Sequence, residues 1–192
     1  MQDFWFYLLE GWHHIISIDA LDHQLFIAAL AALYLWADWK KVLVLVTAFT
    51  IGHSLTLALS VLDIVRFPDN WVEFAIPVTI VLTALSNIIK PRTPESKIQW
   101  NYILALVFGL IHGMGFANTI RFMLAKDQSL ATGLIGFNIG LEIGQIVVVA
   151  ALLCVSWVFV KKIKLAHRDW IMILSSAVLG ISLKMALERI PF

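Results

Sequence analysis

The chain has 192 residues, of which 60% are hydrophobic and 14% charged, and its formal net charge is +1. Soluble domains carry about 25% charged residues, so this composition, with a mean hydropathy of +0.87, excludes a water-soluble globular protein. The near-zero charge gives no reason to expect nucleic acid or an acidic substrate as a partner.

The N-terminal stretch MQDFWFYLLEGWHH lacks a basic region and a small-residue cleavage site. No cleaved signal peptide is therefore expected. Its first twelve residues are aromatic and amphipathic but too short to cross a bilayer, so residues 1–19 are expected to form an outer interfacial segment. Beyond it, hydropathy and breakers divide the chain into about six predicted spans, at roughly 20–37, 41–62, 71–89, 99–122, 130–160 and 170–188. The expected fold is all-α: a polytopic transmembrane helix bundle forming a single domain over 1–192.

Nine of the fourteen Lys and Arg fall in alternate loops, namely Lys40, Lys41, Lys90, Arg92, Lys97, Lys161, Lys162, Lys164 and Arg168. The positive-inside rule places these loops in the cytoplasm and both termini outside. Trp12, Trp36, Trp39, Trp71, Trp100, Trp157 and Trp170 lie near the predicted span ends, where an aromatic belt belongs. Cys154, the single cysteine, sits in an apolar run and is expected to pack.

Ionisable groups at membrane depth cost about 2.5–3.5 kcal/mol at a helix centre, which makes each one a functional candidate. In HHIISIDALDHQLF, positions 13–26, Asp19, Asp22 and His23 share a helix face at i, i+3, i+4. His14 lies nine residues before His23, close enough to fold back onto it. The competing reading makes Asp19 a helix N-cap and the histidines interfacial. His53 and His112 sit about twelve and thirteen residues into the second and fourth spans, which run the same way, so they are expected at similar depth. Phe49 and Phe108 precede them by the same four residues. The competing readings are a core histidine bonded to Ser54 or Thr56, and a small-residue packing face at Gly109 and Gly115.

In span five, Asn138, Glu142 and Gln145 share one face, with Glu142 near mid-membrane, and Gly136, Gly140 and Gly144 form a separate stripe suited to close helix contact. Glu73, in the first turn of span three, is either a candidate ligand or a dipole cap. Imidazole nitrogen with carboxylate oxygen suits a divalent first-row ion such as nickel, zinc, copper or cobalt. The candidate metal residues are thus His14, Asp19, Asp22, His23, His53, His112, Glu73 and Glu142.

At DHQLFI (22–27), FTIGHSLTLAL (49–59), VEFAIPVTI (72–80), FGLIHGMGFA (108–117) and FNIGLEIGQ (137–145) the sequence resembles the HupE/UreJ family of small bacterial membrane proteins associated with metal supply, chiefly nickel. The resemblance implies a secondary metal permease in the inner membrane, with Asp22, His23 and His112 functional and His53 and Glu73 in matching motifs. It also brings metallochaperones or metalloenzyme maturation proteins, and a second copy of the chain, into view as partners. The span-four HGMGFAN lacks the carboxylate that nickel-type members carry after HG, and His14 precedes the DH pair at a longer spacing than in many members. Two other functions compete with transport and non-enzymatic handling of metal. One is an intramembrane zinc hydrolase, with Ser54 or Glu142 moving protons; the other is a non-transporting assembly factor whose buried polar groups only pair helices.

Overall fold

A computed structural model describes residues 2–89, 98–116 and 130–191. It is helical throughout, and among the described residues there is no strand. The helices are α1 (Gln2–Ile16), α2 (Leu21–Ala31), α3 (Trp39–Val61), α4 (Asp69–Ile89), α5 (Ile98–Gly115), α6 (Leu130–Trp157) and α7 (His167–Glu188). Residues 90–97 and 117–129, with Lys90, Arg92, Lys97, Arg121 and Lys126, lie outside the described residues.

Among the described residues, α3, α4, α6 and α7 are each long and apolar enough to cross a membrane. The pair α1 and α2, bent by 66° at the short break between them, meets the same test when taken together. The predicted first span therefore differs from the structure: its helix ends at Ala31, and α2 has only eleven residues. By itself that is about 16 Å, half a ~30 Å hydrocarbon core.

Beyond its first turn helix α2 is apolar around its whole circumference, and Leu25 to Ala31 are all buried. A helix with no polar face is stable only when surrounded, and α2 is enclosed by α4, α6 and α7. Phe26, Phe49, Ala105, Phe108, Val149 and Ile171 gather around it as the main core. Asn87, buried on α4, donates to the Ala29 carbonyl at 2.8 Å and to Ser175 Oγ at 3.3 Å, tying α4 to α2 and α7.

Two helix pairs approach so closely that glycine is required. Along α3 and α5, a Cβ at Gly52 would strike the Leu106 carbonyl, at Gly109 the Phe49 carbonyl, and at Gly113 the His53 carbonyl and the Thr56 hydroxyl. The paired residue numbers rise together, so α3 and α5 are parallel. Along α1 and α6, Gly136 meets Phe4, Gly140 meets Leu8 and Gly144 meets Trp12 and Ile15, while Gly11 answers from α1 against Phe137. The glycine stripe of span five thus has α1 as its partner, and α1 runs parallel to α6 in buried contact rather than standing apart as a surface helix.

Candidate metal site

Four helices each bring one histidine to a common point. His53 and His112 lie fourteen residues beyond the starts of the parallel helices α3 and α5, roughly 21 Å along each, and the backbone contact at Gly113 holds them level. His23 enters from the first turn of α2 and His14 from the last turn of α1. One ring nitrogen from each of His14, His23 and His53 lies within 4.8 Å of the other two. His112 joins through His23, its ring centroid 4.8 Å away at 88°.

The surroundings are aromatic. His14 lies 4.0 Å from the Phe116 ring, Phe137 stacks at 6.3 Å on His53, and Phe49 faces both His53 and His112 at 6.0 and 5.3 Å. His23, His53 and His112 are buried. Six ring nitrogens are buried with no hydrogen-bond partner: His14 Nε2, His23 Nε2, and both nitrogens of His53 and His112. Each such orphan costs about 1–3 kcal/mol, so packing alone is a poor account of the group. A metal ion with nitrogen bonds of about 2.0–2.1 Å would satisfy one nitrogen of each ring after the rings draw together by roughly an ångström.

Asp22 stands behind this centre. Its Oδ1 lies 2.8 Å from His23 Nδ1, and its Oδ2 lies 3.7 Å from Arg189 Nη1, beyond the end of α7. The carboxylate accepts the Nδ1 proton, which assigns the tautomer and leaves a lone pair on the buried, unpartnered His23 Nε2. Asp22 thereby bonds to a histidine of the group, and the three-histidine cluster does not include it.

A family model described as HupE / UreJ protein matches residues 1–189. The chain belongs to the HupE/UreJ family. With that membership, this HupE/UreJ protein is a membrane protein of a family tied to metal transport. Comparisons with curated proteins and with solved structures found no match.

Two of the remaining sequence candidates in this HupE/UreJ protein, Glu142 and Glu73, stand outside the three-histidine group. Glu142 is half-buried and accepts a hydrogen bond from Thr47 Oγ1 at 2.6 Å; Gln145, one turn on, accepts from Thr50 Oγ1 at 2.8 Å. Glu142 and Gln145 therefore pair with α3 hydroxyls, Asn138 donates to the Leu134 carbonyl at 2.8 Å, and Glu142 is outside the three-histidine group. Glu73 is exposed on α4, also outside that group. The Asp19 side chain lies outside the described residues. Two residues escaped sequence reasoning. Gln24 donates its amide to the carbonyls of Ile15, Ile16 and Ser17 at 3.0, 3.2 and 3.0 Å, satisfying carbonyls that the end of α1 leaves open and fixing the corner that delivers His14. Its adjacency to the DH pair was a signal; for Arg189, alone beyond the last span, there was none.

Proposed function

We propose that this protein is a permease for a divalent transition-metal cation, with His14, His23, His53 and His112 as the transient binding centre. The observation that carries this reading is the convergence of four imidazoles from four helices with six buried, unpartnered nitrogens. Nitrogen donors suit nickel, cobalt, zinc or copper in the divalent state. With the basic loops in the cytoplasm of a bacterial inner membrane, the centre receives the ion from the outer half. A membrane potential of 100 mV, inside negative, then favours entry by about 2.3 kcal/mol per charge. Glu142, with Thr47, is the group proposed to exchange protons with the moving ion.

The hydrolase reading is weaker on chemical grounds. Its two proton-handling side chains are not placed to serve a resident ion: Ser54 Oγ donates to the Thr50 carbonyl at 2.6 Å, and Glu142 lies outside the three-histidine group. The rings lining the histidines belong to Phe49, Phe116 and Phe137, none of which holds or moves a proton.

The test is uptake of nickel, cobalt, zinc and copper into proteoliposomes, with bound metal measured on the same protein. Parent protein is expected to accumulate one of them, and His53→Ala and His112→Ala to abolish both binding and uptake. Accumulation by both variants at the parent rate would overturn the reading.

A further inference from the structure

Where the start of α3 meets the end of α6, two cavities of about 320 and 350 Å³ share Trp36 and form one groove along the bundle. Its floor is Val149 and Leu153, both buried; its walls are the exposed rings of Trp36, Trp39 and Trp157. Cys154 also lines it and is exposed. Among the described residues, no charged side chain enters the lining.

The charges stand against its walls. Lys40 Nζ lies over the Trp39 ring, 5.6 Å from its centroid, and Lys162 Nζ lies over the Trp157 ring at 5.2 Å. Both distances fit a cation–π contact. Lys162 comes five residues after Trp157, a spacing that points to different sides of an α-helix. Here α6 runs on into a π-turn, Val158–Lys162, whose i→i+5 closure brings the two onto one side. Both lysines are exposed, and among the described residues neither has a carboxylate partner. Lys41, by contrast, is held by Asp38 at 2.7 Å.

We propose that this groove holds an acyl chain of a phospholipid with a negatively charged headgroup, whose phosphate takes Lys40 and Lys162 as its cationic partners. The site is separate from the histidine centre and does not rest on the permease reading. Acyl chains are as apolar as leucine, so the floor of the groove gives no preference for one lipid over another. Selection falls to the headgroup, because each lysine near the membrane surface favours an anionic lipid by about fivefold in affinity. The bias of basic residues toward cytoplasmic loops accounts for lysines at this end of the bundle. It does not account for two unpaired ammonium groups held over the tryptophans of one groove. A second copy packed symmetrically here would set the same lysines against each other, which like charge disfavours.

The single cysteine of the chain reads the groove directly. In neutral detergent micelles, added phosphatidylglycerol is expected to slow the reaction of Cys154 with a small permeant maleimide, and added phosphatidylcholine to leave it unchanged. Lys40→Gln combined with Lys162→Gln is expected to raise the phosphatidylglycerol needed for half protection by about 25-fold. Lys184→Gln removes the same charge near the end of α7, where Lys184 lies 3.4 Å from Glu188, and is expected to shift it by less than about twofold. Equal protection by the two lipids, or protection by phosphatidylglycerol that survives the loss of both lysines, would overturn the proposal. So would protection that grows with protein concentration in lipid-free micelles, since a second copy would then fill the groove. The comparison of the two lipids needs no variant, so it stands whatever the folding of the double change.

Discussion

Asp22 Oδ1 and His23 Nδ1 lie 2.8 Å apart, and the same carboxylate reaches toward Arg189 at 3.7 Å. Adjacent residues rarely do more than crowd one another, yet here the first turn of α2 lets the carboxylate fix its neighbour's tautomer. Loss of such a support typically costs 10–100-fold in metal affinity. Asp22→Asn is therefore expected to weaken binding by about that factor while leaving one ion per chain at saturation, as equilibrium dialysis would show. Affinity equal to the parent's would make Asp22 a bystander.

Arg189 holds a positive charge beside the carboxylate that backs the site. At an ion pair with this much exposure the interaction is worth about 0–1 kcal/mol, and its sign opposes an incoming dication. Arg189→Gln is expected to raise metal affinity by up to about fivefold and to flatten its dependence on salt. A titration at low and high ionic strength checks both; a fall in affinity would mean that Arg189 chiefly orients Asp22.

His14 depends on how closely α1 meets α6. A Cβ at Gly140 would collide with the Leu8 backbone carbonyl, so Gly140→Ala is expected to push α1 away and cost metal binding along with thermal stability. Gly180, on α7, has nothing within 4 Å of its would-be Cβ. There the same change is expected to be neutral or to stabilise by up to about 1 kcal/mol, since alanine is the better helix former. Melting temperature in detergent, with metal content measured in parallel, separates the two sites.

Gln24 anchors three carbonyls at the end of α1, and hydrogen bonds of this kind are worth about 0.5–1.5 kcal/mol each. Gln24→Leu keeps the size but not the amide. It is expected to lower the metal affinity more than His13→Ala, because His13 is exposed and Gln24 holds the corner from which His14 projects. Equal effects from the two changes in the same binding assay would remove Gln24 from the site's support.

Much of this protein was legible in one dimension. An all-helical membrane protein followed from apolar length, because a helix satisfies its own backbone in lipid. The matched depth of His53 and His112 followed from rise per residue along two spans running the same way. The glycine spacing in span five announced a close contact. What the sequence left open was the partner in each contact. Helices such as α2 and α3 carry no one-sided apolar stripe, so periodicity does not say which face meets which neighbour. Only the packed structure set α1 into the glycine stripe of α6 and so brought His14 to the other histidines. The same packing brought Glu142 to Thr47 and left it outside the three-histidine group. Depth is a property of position along a helix, which the sequence states; convergence is a property of rotation about it, which only neighbouring helices determine.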